Sequence, residues 1–281
     1  MRENFLECKE ALRSAGIDSP EADARLLLQE ALHISREDFL LDSSRMVSFS
    51  EEHILAGWLQ RRLKREPVSR IIGRRAFWKS EFKISPQTLD PRPDSETIIE
   101  SALRFVKDAQ NRPLKMVDLG TGTGCLLLSL LLEWPLATGK GVDISQGAID
   151  TASDNAKNLD LQDRVQFSVG DWNALPRDRS FNVLLSNPPY IPEDEIRSLA
   201  PEVALYDPQQ ALSGGRDGLD CYRSIAGLAH GLLAPAGWMF LEIGHAQAGA
   251  AKELLEQEGI SVLETVPDLA GNDRCIVARV S

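Results

Sequence analysis

Cysteine and histidine are scarce in this sequence, and neither residue is clustered. The four cysteines are scattered along the chain without a CxxC pair, and the four histidines are equally dispersed. Zinc sites draw their ligands from closely spaced Cys and His residues, so we expect no bound metal. The size of the chain and the spacing of the cysteines favour buried free thiols in a reducing cytoplasm over disulfides.

Long apolar runs and an excess of positive charge are missing as well. No stretch of about 18 apolar residues occurs, and residues 1–10 carry charges throughout. We therefore expect neither export nor a membrane span. The chain holds 31 Lys and Arg against 42 Asp and Glu, a formal net charge of −11. Because non-specific duplex binding requires basic side chains that neutralise phosphates, direct nucleic-acid binding is not expected.

The composition that is present fits a globular protein with two domains. Hydrophobic residues make up 43% and charged residues 26% of 281 positions, which suits one large domain and a smaller one. Residues 1–75 show helical periodicity and no strand signal, which predicts a small bundle. Ser48 and Glu51 have the spacing of a capping box, and Pro67 is expected to end the helix that they begin.

The hydrophobic period changes after residue 75. An aromatic stretch at 76–92 is typical of a hairpin, and beyond it short apolar runs alternate with helical stretches such as 149–157 and 248–257. This alternation predicts an α/β fold with a doubly wound, parallel, Rossmann-like sheet. The expected strands are 116–119, 141–144, 165–169, 183–185, 239–243 and 275–280. We predict an N-terminal helical domain (1–75), a hairpin linker (76–92) and a larger α/β domain (93–281).

A glycine-rich loop follows the first of these strands and precedes an apolar helix. Glycines allow positive φ angles and close approach of the backbone to a ligand near a helix N-terminus. The dinucleotide fingerprint GxGxxG is incomplete, because Cys125 stands where the third glycine should fall. A compact nucleoside with an amino-acid tail therefore fits better than a pyrophosphate. The loop residues are Gly120, Thr121, Gly122, Thr123 and Gly124.

Two further strand ends carry groups that suit a nucleoside. Asp143 ends the next strand about 20 residues on, where a carboxylate can accept hydrogen bonds from two ribose hydroxyls. A third strand ends before Asp171 and Trp172, and the indole ring suits adenine. A glycine-rich turn without a ligand is the alternative for the loop alone. The three strand ends together predict S-adenosylmethionine as cofactor.

The segment after the fourth strand reads Asn187-Pro188-Pro189-Tyr190. Two prolines fix φ and remove two amide donors. The Asn187 side-chain carbonyl and the Pro188 carbonyl can both accept from one NH2 group, while Tyr190 offers a flat face to a planar group. The alternative is a rigid proline turn that only ends a strand.

Two such acceptors suit methyl transfer to a planar nitrogen. An amide nitrogen is a poor nucleophile because its lone pair is delocalised into the carbonyl. Acceptors that hold its hydrogens orient the lone pair towards the electrophile and stabilise the positive charge that grows on nitrogen, without a general base. A sulfonium cofactor leaves as a neutral thioether, so no metal is required.

With its further motifs the chain resembles the bacterial release-factor glutamine methyltransferases, the HemK/PrmC type, across nearly its whole length. Two departures are Asp90, where an apolar residue is usual, and Ser95, where Thr is commoner; we assign no role to Arg92 or Glu96. The stretches that carry the resemblance are 91–96, 118–124, 187–190, 214–220, 242–244 and 273–274.

The resemblance implies methylation of the glutamine in the Gly-Gly-Gln motif of class-1 peptide-chain release factors. It also implies an N-terminal helical domain that helps to dock this protein substrate. By position, the cofactor-binding residues are Gly120 to Gly124, Asp143, Trp172 and Asn187. Asn187 to Tyr190 would hold the glutamine amide, with Asn187, Pro188 and Tyr190 as catalytic residues. We expect a cytoplasmic monomer.

Three other functions remain open at this stage. A sister enzyme would methylate a glutamine of a large-subunit ribosomal protein with the same reaction centre. DNA adenine methylation also uses Asn-Pro-Pro-Tyr, but it requires base flipping and a grip on the duplex. A non-enzymatic reading is an RNA- or ribosome-binding module on a degenerate fold, which the intact loop opposes.

Residues 61–75 are a local anomaly in an acidic chain, with seven Lys and Arg against one Glu. One interpretation is a docking patch for a protein substrate, in which charge raises the association rate. The other is a solvated helix face.

Overall fold

A computed structural model describes residues 1–42 and 44–281 of the chain. The chain divides into two compact units. The first comprises Met1–Arg74 together with Ala200–Tyr206, and the second comprises Arg75–Leu199 together with Asp207–Ser281. The segment Ala200–Tyr206 is far in sequence from the rest of its unit, and no sequence pattern indicated this. None of the helices in the described residues is both long and apolar enough to cross a membrane.

The helices and strands follow one another in chain order. The helices are α1 (Arg2–Ser14), α2 (Pro20–Ala31), α3 (Arg36–Leu41), α4 (Phe49–Leu63), α5 (Val68–Ile72), α6 (Glu96–Phe105), α7 (Cys125–Glu133), α8 (Gln146–Asn158), α9 (Pro201–Ala204), α10 (Asp220–Leu232) and α11 (Ala248–Gln257). The strands are β1 (Arg74–Phe77), β2 (Ser80–Lys83), β3 (Lys115–Leu119), β4 (Thr138–Asp143), β5 (Val165–Val169), β6 (Phe181–Ser186), β7 (Leu233–Glu242), β8 (Ser261–Pro267) and β9 (Asp273–Arg279).

The first unit is the predicted helical bundle. The expected capping box begins α4, since Ser48 Oγ accepts from the backbone N–H of Glu51 and the Glu51 carboxylate accepts from the backbone N–H of Ser48. Helix α4 ends at Leu63, four residues before the proline that was expected to end it, and Arg65 just beyond it has a left-handed φ of 71°. The core of this unit is formed by apolar residues of four helices, with Leu12 of α1, Leu27 and Leu28 of α2, Leu55 of α4 and Ile71 of α5 among them.

Arginines of the predicted basic cluster pair with carboxylates inside this unit. The Arg62 side chain is buried, and its guanidinium donates to Asp23 over 2.7 Å and to Glu202 over 3.0 Å. Arg61 donates to Glu66. These pairs leave less free positive charge for a docking patch than the sequence suggests.

The second unit contains the predicted hairpin and a seven-stranded sheet. Strands β1 and β2 form the hairpin, and the large sheet has the order β5-β4-β3-β6-β7-β9-β8. The first five strands of this order, β5-β4-β3-β6-β7, pair in parallel with their neighbours. Strand β9 pairs antiparallel with both β7 and β8. The sheet is therefore mixed, where the alternation of strands and helices predicted a parallel one. A five-residue connection between β8 and β9 permits only an antiparallel pair.

Helices cover both faces of this sheet, as a doubly wound fold requires. Side chains alternate along β3, so Met116 joins one apolar cluster while Val117 joins the other. The first cluster includes Leu127 of α7, and the second includes Ile225 of α10. Strands β4 and β6 flank β3 on opposite sides, so the chain order reverses at β3. Ligands of doubly wound sheets bind at such a reversal, beyond the carboxyl ends of the strands.

The buried arginine of the first unit gives a stability prediction. Arg62→Met should lower the free energy of unfolding by about 3 kcal/mol, because it leaves the largely buried Asp23 carboxylate without its cation and Glu202 with Arg65 alone. Urea unfolding measures the change. The control is Arg13→Met, which removes the exposed pair with Glu10 and should cost well under about 1 kcal/mol. Equal losses in the two variants would contradict the buried pairing.

Candidate active site

The glycine-rich loop turns the chain from β3 into α7. Gly120, Gly122 and Gly124 have φ angles of 74°, 54° and 79°, a region that side chains with a Cβ rarely adopt. The backbone N–H groups of Gly120 and Thr121 donate to the carbonyl of Val142 over 2.9 and 3.0 Å. The loop is thus fixed to the end of the neighbouring strand β4.

A buried carboxyl group at the end of β3 accepts a hydrogen bond from the glycine-rich loop. Asp118 is 1% exposed, and its Oδ2 accepts from Thr121 Oγ1 over 2.7 Å. Burial raises the pKa of Asp118 to about 7, and the nearby charge of Asp143 adds to the rise, while the Thr121 hydrogen bond opposes it.

The Asp143 carboxylate lies at the end of β4 and faces the loop. Its Oδ2 accepts from the Gly122 N–H and its Oδ1 accepts from the Ser145 N–H, both over 2.9 Å. Burial raises the pKa of Asp143, and these backbone donors oppose the rise. Each carboxylate oxygen keeps a lone pair, so both can still accept a hydrogen bond from a ribose hydroxyl.

The indole ring of Trp172 is held in place from a second helix. Its Nε1 donates to Oγ of Ser224 on α10 over 3.0 Å. A Cβ at Gly120 would lie 3.4 Å from the ring, so a larger residue there would crowd the indole. Gly124 has a different role, since a Cβ there would meet Leu128 at 3.1 Å and Ala152 at 3.3 Å. It lets α7 pack closely on its neighbours.

These groups surround a cavity of about 490 Å³. The cavity offers backbone donors of a positive-φ loop, a carboxylate and an indole face, and a Cβ at Gly122 would meet nothing within 4 Å. This donor set and open backbone fit S-adenosylmethionine. Of the predicted site residues, Gly120, Thr121, Gly122, Thr123, Asp143, Trp172, Asn187 and Pro189 line the cavity, whereas Gly124, Pro188 and Tyr190 do not.

The reaction-centre segment begins directly after β6 and is tied to β3. The buried Ser186 hydroxyl donates to the Leu119 carbonyl over 2.6 Å, which places Asn187 next to the start of the glycine loop. Asn187 Nδ2 donates to Ser95 Oγ over 3.1 Å. Tyr190 donates its hydroxyl proton to Glu242 Oε1 over 3.2 Å.

Ser95 and Ser224 are contacts that sequence reasoning missed. Both line the cavity, and each hydrogen-bonds to a predicted site residue. Ser95 directly precedes α6 and ends a short 3-10 helix that begins at Pro93, and a proline at a first helical position is a typical helix-start signal. That signal could have flagged its place in the fold, but not its contact. Nothing in the sequence around Ser224 points to Trp172. In residues 1–42 and 44–281 no group of three or more His, Cys, Asp or Glu could hold a metal ion.

Comparison with known families gives two matches along the chain. A family described as the PrmC N-terminal domain matches residues 5–73, and one described as a methyltransferase domain matches residues 110–267. A release factor glutamine methyltransferase of Rhodospirillum rubrum is 46% identical over 95% of this chain and 81% of the relative. One from Caulobacter vibrioides is 40% identical over 96% of this chain and 92% of the relative.

Solved structures with the same fold are much more distant in sequence. The hMettl16 catalytic domain bound to a 3'UTR hairpin has a TM-score of 0.54 at 15% identity, over 71% of this chain and 74% of that one. A methyltransferase from Pyrococcus furiosus has a TM-score of 0.50 at 18% identity, over 70% of this chain and 88% of that one. At such identity these likenesses concern the fold alone, and they confirm the predicted methyltransferase sheet.

The raised pKa of Asp118 predicts a pH-dependent cost in stability. A carboxyl group whose pKa is higher in the folded state favours folding while it is protonated, and this stability is lost as pH rises from about 4 to about 7. Asp118→Asn should therefore raise the free energy of unfolding by on the order of 2 kcal/mol at pH 8 and by much less at pH 5. Urea titrations at the two pH values measure it, and an equal effect at both would contradict the burial argument.

The position of Asp143 predicts its part in cofactor binding. Asp143→Asn keeps the shape of the side chain but removes a charged acceptor, so S-adenosylmethionine should bind about tenfold more weakly. Isothermal titration calorimetry measures this affinity. Asp150→Asn, at an exposed position on α8, is the control and should bind normally; unchanged affinity in the Asp143 variant would remove Asp143 from the cofactor site.

Proposed function

The chain belongs to the release factor glutamine methyltransferase family, and on this premise we propose that it methylates the glutamine of the Gly-Gly-Gln motif in class-1 peptide-chain release factors. The membership confirms the resemblance noted in the sequence. The enzyme uses S-adenosylmethionine, as its methyltransferase domain indicates. Methyl transfer goes to the side-chain amide nitrogen of that glutamine.

The observation that carries this proposal is the place of Asn187. It lies in the cavity lining with the glycine loop, Asp143 and Trp172, so an acceptor for an amide hydrogen stands beside the cofactor groups. Asn187 Nδ2 is engaged by Ser95, which leaves Oδ1 for the substrate. The Pro188 carbonyl is the second acceptor in the proposed arrangement.

These two acceptors act by alignment and by charge. The bound S-adenosylmethionine supplies an electrophilic methyl group on a sulfonium centre. Asn187 and Pro188 hold the two amide hydrogens of glutamine, so the nitrogen lone pair is directed out of the amide plane. As positive charge grows on nitrogen, the same two oxygens stabilise it, and fixed dipoles do so without the reorganisation that water would need. Tyr190 packs beside this turn. The methylated nitrogen is strongly acidic while it carries its extra proton and releases that proton to solvent, so no general base is required.

Cofactor placement in this proposal follows the loop geometry. Gly120 to Gly124 let the backbone approach the amino-acid tail, while Asp143 accepts from the ribose and the Trp172 ring lies along adenine.

The chain carries more acidic than basic residues, with a net charge of −11, and this supports an enzyme that does not bind nucleic acid directly. We also propose that the enzyme is cytoplasmic and that it is a monomer.

The other functions that the sequence left open are not favoured. The relatives that cover nearly the whole chain carry the name release factor glutamine methyltransferase, rather than that of a ribosomal-protein or DNA methyltransferase. A non-enzymatic module has no need of the preserved cavity and its carboxylate.

The test is methyl transfer from labelled S-adenosylmethionine to purified unmethylated release factor, with Asn187→Ala as the variant. Wild type should label the intact factor and not a factor whose Gly-Gly-Gln reads Gly-Gly-Ala. Asn187→Ala should lose roughly 10²–10³ in turnover, by analogy with the removal of one preorganised polar contact. Near-normal turnover would show that the amide is held elsewhere. Absence of label with wild type, despite cofactor binding, would overturn the proposed substrate.

A further inference from the structure

The side chain of Asn187 can present either of two chemically different ends. An amide offers a carbonyl oxygen, which accepts, or an NH2 group, which donates. The proposed reaction needs the oxygen, because the substrate itself brings an NH2 group. Asn187 Nδ2 lies 3.1 Å from Ser95 Oγ, so Ser95 occupies the NH2 end and leaves Oδ1 for the substrate.

A serine hydroxyl donates as well as accepts, so Ser95 alone does not impose this orientation. The buried carboxyl group of Glu242 supplies the missing constraint. Its Oε2 is buried and has no hydrogen-bond partner, and the Ser95 hydroxyl lies near enough to this carboxyl group to lower its pKa. A carboxylate only accepts, so it draws the Ser95 proton and turns Ser95 Oγ into an acceptor for Asn187.

Tyr190 is held at both of its ends, by the last residue of β7 and by the segment that follows this strand. Its hydroxyl donates to Glu242 Oε1 over 3.2 Å, and its carbonyl accepts from Gln247 Nε2 over 2.9 Å. The ring and the backbone of the last reaction-centre residue are therefore fixed from one side.

Gln247 forms hydrogen bonds through both ends of its side-chain amide. Besides Tyr190, its Nε2 donates to the Gly218 carbonyl over 3.3 Å, and its Oε1 accepts from the Gly244 N–H over 3.1 Å. The Tyr222 hydroxyl lies 3.4 Å from the same oxygen and donates over the shorter distance of 3.1 Å to the Glu242 carbonyl. A Cβ at Gly218 would lie 2.4 Å from the Tyr190 carbonyl, so this neighbouring loop also packs directly on the turn.

We infer that Ser95, Glu242 and Gln247 are positioning residues of the amide-methylating centre. Ser95 and Glu242 together set which end of the Asn187 amide faces the substrate, and Glu242 and Gln247 fix Tyr190 by its hydroxyl and its carbonyl. This inference rests on the proposed function, since only an NH2-bearing substrate makes the orientation of Asn187 matter. None of the three residues was assigned a role by the sequence.

The charge of Glu242 couples this arrangement to pH. Burial raises the pKa of Glu242 to about 7; Ser95, Arg274 and Tyr190 oppose the rise, and Asp94 adds to it. As pH falls through about 7, Glu242 takes up a proton, becomes a donor and no longer forces Ser95 to accept. The charge of Glu242 also acts on three other groups, Cys125, Cys275 and Tyr222. Burial raises the pKa of each of them, so they stay neutral near pH 7.

The first arm of the test compares Ser95→Ala with Ser95→Thr. Ser95→Ala frees the Asn187 amide to turn, so kcat for release-factor methylation should fall about tenfold. The calorimetric Kd for S-adenosylmethionine and the melting temperature should stay near wild type. Ser95→Thr keeps the hydroxyl and should restore most of kcat. A kcat for Ser95→Ala equal to that of wild type, or no rescue by Thr, overturns the orienting role of Ser95.

The second arm uses the pH profile of Glu242→Gln. Wild-type kcat should decline as pH falls from about 8 to 6, because protonated Glu242 loses its directing effect. Glu242→Gln carries a group that does not titrate, so its kcat should be lower than that of wild type at pH 8 and nearly constant with pH. A decline that persists unchanged in the variant overturns the role of Glu242.

The third arm compares two glutamines of one helix region. Gln247→Ala should lower kcat about tenfold with little change in cofactor Kd, whereas Gln257→Ala, exposed at the end of α11, should be normal. Equal kcat in both variants overturns the role of Gln247. Failure of the proposed function gives a different result, in which the wild-type enzyme binds cofactor but does not label the release factor. The three comparisons of variants therefore use a wild-type enzyme that is active on the release factor.

Discussion

The pairing of β3 with β4 on one side and β6 on the other is the constraint on which the site depends. It brings the carboxyl ends of three strands to one edge of the sheet, and the Ser186 hydroxyl fastens the end of β6 to the Leu119 carbonyl over 2.6 Å. Each strand end then starts a loop that carries polar groups. Because these starting points are fixed by backbone hydrogen bonds, the cofactor groups and Asn187 face one cavity without a long mobile connection.

Two buried carboxyl groups lower the folding stability of the protein in order to hold side chains of the site. Asp118 and Glu242 are each 1% exposed, and burial raises the pKa of each to about 7. A hydrophobic residue would be better suited to either position by burial alone. Each group holds a side chain of the site instead, Asp118 the hydroxyl of Thr121 and Glu242 that of Tyr190. Departures from the best local stability are expected at functional sites.

Sequence reasoning succeeded where the relevant residues are close together in the chain. The capping box of Ser48 and Glu51 and helix α11 depend on contacts within a few positions, and both were predicted. Strand β8 was missed because its side chains are mostly half-exposed and its apolar pattern is weak. Strand β9 was predicted at 275–280, but its antiparallel orientation was not, since an apolar run is the same in either direction and only its partner strands decide its orientation.

The sequence by itself determined the α/β class, the cofactor loop and the Asn187-Pro188-Pro189-Tyr190 segment, because each is written in consecutive residues whose backbone chemistry is local. Tertiary structure alone decided which distant side chains complete them. Ser95 meets Asn187 across 92 positions and Gln247 meets Tyr190 across 57. Serine and glutamine at such positions have no distinctive local pattern. The role of these two residues depends on the strand order that brings them to the site, and no spacing along the chain encodes either contact.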